Sequence, residues 1–395
     1  MRRRGPAGSP GTRFGNQSWD GLIVIASSTS WDDTWLSEKH LALHLSRLVP
    51  VLFVDPPVSV LTPLRKPPLR ASTRGPRLTL IQENLARLTP LTAPGISRPG
   101  LRSLAEFVTR RSIAGAVRTL STRVKAIVAA SLDDVLDSCE AEVRVLYGTD
   151  DWITGGSLMH ISSRWLRRRE KSQLRRADVV VAVSDQLAAR WSGAARRVEV
   201  IPNGCDTEHF SGVEAAAPAA DVILADPIAG FIGHLSERID IDVLEQIARS
   251  GASLLLIGPR QLTFNLERMD ALLGHSNVQW VGPQPFQRLP SYMKRIAVGL
   301  TPYTDSPFNR SSDPLKTLEY LAAGKPAVVS DLPSARRIPG RFVDVSPDAE
   351  SFATLTVAAL AREPDAKLAQ ERKNYAASQN WDARARDFIA LLESF

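Results

Sequence analysis

The sequence is poor in cysteine and has no long hydrophobic run. Its 395 residues include two cysteines, Cys139 and Cys205, whose spacing fits neither a disulfide framework nor a zinc cluster. A reducing compartment is the simplest setting for such a chain. No apolar segment approaches the ~18 residues of a transmembrane helix, and the basic amino terminus lacks the apolar core of a signal peptide. We therefore expect a cytoplasmic protein whose residues 1–19 form a disordered basic tail.

Signatures for metals, dinucleotides and nucleic acids are missing as well. The six histidines form no HExxH pattern, and the loop after the first predicted strand contains no GxGxxG. The basic half of the chain contains no helix-turn-helix, RRM or zinc-finger pattern. The sequence therefore predicts no metal site and no nucleic-acid partner, despite a formal net charge of +7.

Positive charge is concentrated in the first half of the chain. Residues 1–200 carry 30 Lys/Arg against 18 Asp/Glu, whereas residues 201–395 carry 19 against 24. The segment 101–124 mixes apolar residues with five arginines, as a basic amphipathic helix on anionic lipid would. A core-packed helix with a solvated arginine face is the commoner origin of such a pattern. Peripheral association with an anionic membrane, or a phosphorylated acceptor, would account for the uneven charge.

Strand and helix patterns alternate along the whole chain. Buried-type strands at 21–27 and 51–55 enclose a helical pattern, which makes a βαβ unit. Further strand patterns occur at 125–131, 143–148, 179–184, 198–204, 228–233, 253–259, 277–281, 327–330 and 342–346. This alternation over 395 residues predicts an α/β protein with two doubly wound domains.

The clearest functional signal lies in residues 303–333. Ser312 or Asp313 is a suitable N-cap for a helix, and Pro314 suits its first turn. Gly324 is placed to end the helix, and a short apolar strand follows. The stretch therefore predicts a loop, a helix and a buried strand of an α/β domain.

Two charged residues mark this predicted helix. Lys316 and Glu319 are three residues apart and share a face near the helix N-terminus. The helix dipole and free N–H groups favour an anion there, so a phosphate would suit the site, with the carboxylate accepting hydrogen bonds from sugar hydroxyls. The spacing by itself favours the simpler alternative, an ordinary surface ion pair.

The same stretch resembles the nucleotide-sugar signature of GT-B glycosyltransferases in the retaining group 1 (family 4) class. That signature is Glu, seven residues, Glu, and then a small-residue helix with Gly-x-Pro-Val-Val. Glu319 matches the second glutamate, which holds the ribose hydroxyls in that family. The first glutamate would fall on Ser311, so the resemblance leaves Asp313 or Asn309 to bind the donor in its place. The segment from 177 to 204, ADVVVAVS and VEVIPNG, also resembles that class.

The resemblance also implies a phosphate-binding loop. In the family a basic pair after a glycine holds the donor pyrophosphate; here the glycine is Gly233, and the two positions are His234 and Asp240. Arg238 lies between them and is our candidate phosphate clamp together with Lys316, because a guanidinium suits bidentate contact with phosphate. The alternative is an exposed helix-start arginine that pairs with Glu237 or Asp242.

Two more loops complete the implied donor site. The family passes the nucleotide base along backbone groups at the positions of Gly282 and Gln284. Its first βα loop faces the donor phosphates, and here Ser27 and Ser28 would offer hydroxyls. A capped helix start explains this serine-rich loop equally well.

A pair of carboxylates follows the predicted strand 143–148. Asp150 and Asp151 stand in Tyr-Gly-Thr-Asp-Asp-Trp, at the strand end where ligands bind in such folds. The segment is similar to Tyr-Asp-Val-Thr-Asp-Asp-Trp of teichuronic-acid-type cell-surface polysaccharide glycosyltransferases. We expect one of the two aspartates to orient an acceptor hydroxyl or the donor sugar. Capping of the next helix is the alternative.

The resemblance implies the GT-B fold, with two facing doubly wound Rossmann-like domains and a C-terminal helix that crosses back to the first domain. The expected divisions are a tail at 1–19, an acceptor-side domain at 20–205, a linker at 206–226, a donor-binding domain at 227–375 and the returning helix at 376–395.

The implied activity is that of a glycosyltransferase of the hexosyltransferase class. It would move a sugar from a nucleoside-diphosphate sugar, its co-substrate, to a cell-surface glycan, a lipid-linked acceptor or a small molecule. The reaction would retain the anomeric configuration, without a metal or cofactor, at the inner face of the cell membrane. Two alternatives stay open because Ser311 and His234 depart from the family: a nucleotide-sugar epimerase of the same fold, and a non-catalytic relative that acts as a binding or scaffold protein.

Overall fold

Two units make up the chain, each built on its own sheet. The computed structural model describes residues 18–33, 35–59, 77–94, 99–156 and 162–395. The first unit comprises residues 1–201 and 384–395, and the second comprises residues 202–383. Most of the predicted tail, residues 1–17, lies outside the described residues.

The first unit contains an eight-stranded sheet among its described residues. Its strands are β1 (Leu22–Ala26), β2 (Val51–Val54), β4 (Leu78–Gln82), β5 (Leu85–Leu88), β7 (Val124–Ala129), β8 (Ala141–Gly148), β9 (Val179–Ala182) and β10 (Val198–Val200), and a separate pair is formed by β3 (Val58–Ser59) and β6 (Leu91–Thr92). The order in the sheet is β10-β9-β8-β7-β1-β2-β5-β4. Pairing is parallel except between β4 and β5, at one edge of the described sheet.

Four helices accompany this sheet in the described residues before 201. They are α1 (Ser37–Leu45), α2 (Pro99–Leu120), α3 (Ser163–Arg176) and α4 (Asp185–Trp191). The strands β1, β2 and β9 are buried at every position, which is why they appear in the sequence as continuous apolar runs rather than alternating ones. The parallel α/β prediction is confirmed for this unit.

The second unit contains a fully parallel sheet of six strands in the described residues. They are β11 (Ile228–Ile232), β12 (Ser253–Ile257), β13 (Val278–Trp280), β14 (Ile296–Thr301), β15 (Ala327–Ser330) and β16 (Val343–Ser346). The order is β13-β12-β11-β14-β15-β16. Strands that follow β11 are added first on one side of it and then, from β14 onward, on the other side. Such folds bind ligands at the carboxyl ends of the strands where this change of side occurs.

Helices cover both faces of the second sheet. They are α5 (Thr207–Ser211), α6 (Ile241–Arg249), α7 (Leu266–Leu273), α8 (Leu289–Arg295), α9 (Pro307–Ser311), α10 (Leu315–Ala322), α11 (Pro333–Arg336), α12 (Ala349–Leu360) and α13 (Ala366–Ser378). One hydrophobic cluster lies on the α10 side and another on the α6 and α12 side. The last helix, α14 (Trp381–Glu393), passes from the second unit into the first, to which residues 384–395 belong.

The structure differs from the predicted linker at 206–226. Phe210 and Val213 are fully buried in the core of the second unit, together with Ala219, Val222 and Leu224. The segment begins with α5, capped by the Asp206 side chain. Its alanines and prolines suggested a linker, but the apolar residues between them pack onto the sheet, and the chain divides at residues 201 and 202 instead.

Helix α10 begins later than predicted. Its first residue is Leu315, with Pro314 in the cap position, so neither Ser312 nor Asp313 caps it. Gly324 ends the helix as predicted, with a positive φ of 75° that favours glycine. No helix within the described part of the chain is both long enough and apolar enough to cross a membrane.

Candidate functional site

The N-terminus of α10 is open to an anion. The cap position is Pro314, whose side chain accepts no hydrogen bond from the first turn. The first N–H groups of a helix have no partner inside the helix, and they carry the positive end of its dipole. Such an end suits a phosphate group.

Lys316 and Glu319 form an ion pair one turn further along α10. The lysine Nζ donates to both carboxylate oxygens of Glu319, at 3.1 and 2.8 Å. The glutamate is only 6% exposed. The pair suggested by the spacing is therefore present, but its carboxylate is buried and differs from an ordinary surface ion pair.

The two charges of this pair support each other. Burial alone would lower the pKa of Lys316, but the charge and hydrogen bonds of Glu319 outweigh burial and raise that pKa above its usual value. Lys316 thus carries a positive charge throughout the physiological pH range, beside a buried carboxylate with oxygens able to accept further hydrogen bonds.

Arg238 is held by residues of the loop after β14 and of helix α9. Its Nε donates to the Oδ1 atom of Asn309 at 3.0 Å. Its guanidinium lies 5.3 Å from the ring centre of Tyr303 and 4.8 Å from that of Phe308. The partners considered from the sequence, Glu237 and Asp242, do not hold it; instead the aromatic and amide contacts fix the guanidinium.

Backbone contacts join the two loops that carry these residues. Ile239 and Tyr303 form an isolated antiparallel bridge. The N–H of Thr304 donates to the carbonyl of Arg238 at 2.9 Å, and the N–H of Asp240 donates to the carbonyl of Pro302 at 2.8 Å. The arginine is therefore positioned by rigid backbone on both sides of the loop pair.

Three glycines line the carboxyl edge of β11, β12 and β13. Gly258 N–H donates to the carbonyl of Gly282, and Gly233 N–H donates to the carbonyl of Ile257. A Cβ atom on Gly258 would lie 1.9 Å from the carbonyl oxygen of Gly233, and the φ of Gly258 is +132°. Only glycine fits there, so backbone groups rather than side chains form this edge of the site. The sequence pattern did not indicate that Gly258 belongs to this edge.

Two other predicted donor-site residues lie near this edge. His234 follows Gly233 directly. Partial burial of its ring and the nearby Arg238 charge lower the pKa of His234 from its ordinary value, and the charge of Glu237 acts against this decrease. The side chain of Gln284 donates to the carbonyl of Val281 and accepts from Arg288. Gln284 therefore shapes its own loop in the structure.

Asn309 has a different role from the one expected of a donor ligand. It is 1% exposed, and its amide group donates to the Arg238 carbonyl and to both oxygens of Thr304 while accepting from the guanidinium. The N–H groups of this amide are thus used within the protein, and its oxygen accepts from Arg238. Asn309 positions Arg238.

Asp313 is also engaged by the protein. Its carboxylate accepts from the N–H of Asn203 at 2.8 Å and pairs with Arg337, while its carbonyl accepts from the Asn203 side chain at 2.8 Å. Ser311, which stands where the family has its first glutamate, is 9% exposed. Asp313 ties the start of the second unit to the residues before α10.

The two aspartates after β8 lie in the first unit and have separate environments. Asp151 is 3% exposed, accepts from the N–H groups of Ile153 and Thr154 at 3.1 and 3.0 Å, and pairs with Arg190. Its carboxylate caps the following turn, and the positive charge of Arg190 on α4 neutralises it. These contacts agree with the capping alternative for Asp151, and the role of Asp150 or Asp151 in orienting a substrate stays a prediction. Asp150 is half-buried beside it.

The serine-rich loop after β1 hydrogen-bonds to a carboxylate that the sequence did not single out. The hydroxyls of Ser27 and Ser28 donate to Glu38 in the first turn of α1, at 2.8 and 3.3 Å. Glu38 is 1% exposed, and Thr29 donates to it as well. The loop is thus organised around a buried acceptor, as a helix start would be; the acidic residue in the first turn of the predicted helix was the available signal.

Comparison with protein families decides the class of enzyme. Residues 226–362 match the model described as glycosyl transferases group 1, and residues 147–209 match the model described as glycosyltransferase family 4. The first range contains Arg238, Lys316 and Glu319, and the second contains both aspartates. The chain is a glycosyltransferase.

Named relatives agree with this class. The enzyme is 28% identical over 272 residues to the putative teichuronic acid biosynthesis glycosyltransferase TuaH of Bacillus subtilis. This match covers 65% of this chain and 68% of that protein. The resemblance to teichuronic-acid-type transferases noted in the sequence is thereby confirmed. The matches do not favour the epimerase or the non-catalytic alternative.

Solved structures show the fold. Sucrose-phosphate synthase from Thermosynechococcus elongatus superposes with a TM-score of 0.71 at 16% identity, covering 94% of this chain and 98% of that one. HepE of Anabaena, in complex with UDP and glucose, superposes with a TM-score of 0.64 at 15% identity. The match covers 95% of this chain and 100% of that one. A trehalose-6-phosphate structure from E. coli bound with UDP-2-fluoro glucose superposes with a TM-score of 0.67 at 12% identity. The match covers 95% of this chain and 99% of that one. The predicted GT-B fold is confirmed.

The aromatic residues around Arg238 were missed in the sequence of this glycosyltransferase. Tyr303 and Phe308 flank the guanidinium. Both lie in residues 303–333, where the sequence pattern drew attention to the polar residues. An arginine followed some seventy residues later by two aromatics carries no local pattern. Only the pairing of the two loops brings these groups together.

Proposed function

We propose that this glycosyltransferase binds a nucleoside-diphosphate sugar in its second unit and transfers the sugar to a hydroxyl group of an acceptor. The observation that carries the proposal is the buried Glu319 carboxylate, paired with Lys316 beside the uncapped start of α10. A carboxylate there suits the two neighbouring hydroxyls of a ribose, while the helix N–H groups and the ammonium group suit phosphate.

The donor that we propose is a UDP-sugar. The HepE structure holds UDP and glucose, and the E. coli trehalose-6-phosphate structure holds UDP-2-fluoro glucose. Both cover nearly all of this chain at the level of the fold. Gly233 and Gly282 support the assignment, because a residue without a side chain lets a flat base approach the backbone closely.

The reaction requires the charge of the leaving group to be neutralised. The bond between the anomeric carbon and the phosphate oxygen breaks, and its electron pair stays on the departing diphosphate. A new bond joins the anomeric carbon to the acceptor oxygen, whose proton is released. We assign the stabilisation of the diphosphate to Arg238, Lys316 and the N–H groups of α10, in place of a metal ion, with retention as in the family that the sequence resembles.

A nucleotide panel tests the donor site. We expect UDP, without added metal, to raise the melting temperature of the full-length protein, because a ligand that binds only the folded state stabilises it. GDP, ADP and TDP serve as the comparison, and UDP with EDTA serves as the control for trace metal. The donor proposal fails if none of the four nucleotides shifts the melting temperature, and metal independence fails if EDTA removes the shift.

We propose that the acceptor is a cell-surface glycan or its lipid-linked precursor at an anionic membrane face. The similarity to a putative teichuronic acid biosynthesis enzyme supports the first part. The surface of α2 and α3 supports the second. Leu104 is 44% exposed and Phe107 is 50% exposed on α2, and Arg111 lies over the Phe107 ring.

Helix α3 supplies the charge beside this apolar pair. The two helices are joined by the Arg169–Glu106 ion pair and by Arg102, whose guanidinium lies 3.9 Å from the ring centre of Trp165. The exposed cations of α3 are Arg164, Arg167, Arg168, Lys171 and Arg175. Exposed apolar side chains next to a row of cations suit an interface with anionic lipid.

Vesicle sedimentation tests the membrane surface. We expect binding to phosphatidylglycerol-containing vesicles, and a fall of about tenfold or more in Arg167→Gln with Arg168→Gln, since each cation contributes about 1 kcal/mol near an anionic surface. Phe107→Ser should also weaken binding. The matched control, Lys367→Gln with Arg386→Gln, removes the same charge from other helices. Equal binding to phosphatidylcholine vesicles, or an equal loss in the control, would contradict a specific basic surface.

A further inference from the structure

A cavity of about 150 Å³ lies within the first unit. Ser27, Asp55 and Ser131 line it just after β1, β2 and β7, at the carboxyl edge of the sheet. Arg102, Glu106 and Thr109 line it from one face of α2. The cavity thus lies between a sheet edge and a helix, and it is partly open to solvent.

Thr109 points to a ligand of this cavity. It is 5% exposed, and its hydroxyl has no hydrogen-bond partner among the residues that the structure describes. A buried hydroxyl without a partner is unfavourable, and buried polar groups in proteins are nearly always paired. A ligand with hydroxyl groups in the cavity would provide the missing partner.

Most charged groups of the cavity are already paired within the protein. Asp55 accepts from the Trp31 N–H at 2.8 Å, from Arg87 at 2.7 Å and from the Thr89 hydroxyl at 2.6 Å. Glu106 pairs with Arg169. These contacts hold the two carboxylates in the wall of the cavity, where each already has a cationic partner.

Asp133 is the remaining carboxyl group of the cavity. The Ser131 hydroxyl donates to it at 3.1 Å. Burial raises the pKa of Asp133, and the nearby Arg102 charge acts against that increase. Asp133 therefore lies where a hydroxyl group of a ligand could donate to it, and Arg102 lies on the same wall.

We propose that this cavity binds one neutral sugar residue of the acceptor, through hydrogen bonds of its hydroxyls to Thr109 and Asp133. Asp55 and Glu106 are neutralised by Arg87 and Arg169, and Asp133 faces Arg102, so the wall has no excess positive charge to favour a phosphate or carboxylate ligand. The volume is below the ~300–1,000 Å³ of pockets for drug-sized ligands, so it suits a single ring. That this sugar is the acceptor rests on the proposed transfer reaction; the binding itself does not.

Saturation-transfer NMR with the full-length protein tests the inference. The probes are methyl α-D-glucopyranoside and methyl α-D-galactopyranoside as neutral sugars, and glucuronic acid as the anionic one. We expect a neutral glycoside to bind, with affinity lower by about 3- to 10-fold in both Thr109→Val and Asp133→Asn, because each change weakens one hydrogen bond to the sugar. The controls are Thr119→Val on the exposed side of α2 and Asp137→Asn, and they should leave affinity unchanged.

Three outcomes would overturn the proposal: no neutral glycoside binds, glucuronic acid binds as tightly as the neutral sugars, or the controls lose as much affinity as the cavity variants. Melting temperatures with UDP separate this inference from the proposed function. A UDP shift that persists in Thr109→Val, with no glycoside binding to wild type, rejects the cavity alone. Glycoside binding that depends on Thr109, with no nucleotide shift in wild type, supports a sugar site and rejects the donor proposal.

Discussion

Glu319→Gln should lower the affinity for the donor nucleotide by about 10- to 150-fold, while the protein stays folded. The carboxylate is proposed to accept hydrogen bonds from the ribose, and bonds to a charged group contribute about 1.5–3 kcal/mol. Glutamine keeps the shape of the side chain and can still accept from Lys316 through its amide oxygen. Alanine is a poorer test, because it would leave the half-buried ammonium group of Lys316 without its partner.

Isothermal titration with UDP measures this effect. The matched control is Glu350→Gln, which changes an exposed glutamate in the first turn of α12. Circular dichroism and thermal melting of both variants establish that the fold is kept. If UDP binds Glu319→Gln as tightly as wild type, the assignment of α10 to the donor is wrong, whatever the activity of the enzyme.

Arg238→Gln should reduce kcat by about 10²- to 10³-fold and raise the donor KM much less. Negative charge on the diphosphate increases as the bond to the sugar breaks, so a cation aimed at it stabilises the transition state more than the bound donor. The aromatic rings and Asn309 already hold the guanidinium in place, which lowers the cost of orienting it during the reaction. Arg238→Lys should recover only part of the rate, because an ammonium group lacks the planar fork.

Release of UDP from a UDP-sugar, followed with and without acceptor, gives both parameters. Arg249→Gln is the control, since that exposed arginine pairs with Glu245 on α6, away from the loop pair. A rise in KM with kcat unchanged would limit Arg238 to binding of the ground state. No change in either parameter would remove it from the proposed site.

Residues whose signal is local were predicted well. The strands β1, β2 and β9 are continuous apolar runs, and burial on both faces follows directly from that composition. Gly324 ends α10 because a left-handed residue at a helix end strongly favours glycine. The ion pair of Lys316 and Glu319 depends on a spacing of three residues along one helix.

Sequence patterns did not distinguish between two roles that the same residue can have. Asp313 is a suitable N-cap by type, yet its carboxylate accepts from Asn203, 110 positions earlier in the chain. Asp151 follows a strand end like a ligand-binding residue, yet Arg190 of α4 neutralises it. The apolar residues of 210–224 looked like a linker because their partners belong to the second sheet.

The sequence by itself determined the alternation of strands and helices, the class of the fold and the residues of α10, because these depend on periodicity and on neighbours within one turn. Only the tertiary structure decided which side chains are buried and which already have partners within the protein. Burial of Glu319, capping by Asp151, the contacts of Arg238 and the unpaired hydroxyl of Thr109 depend on side chains from distant segments. Hydrogen bonds and desolvation act over a few ångströms in space, and separation along the chain carries no information about them.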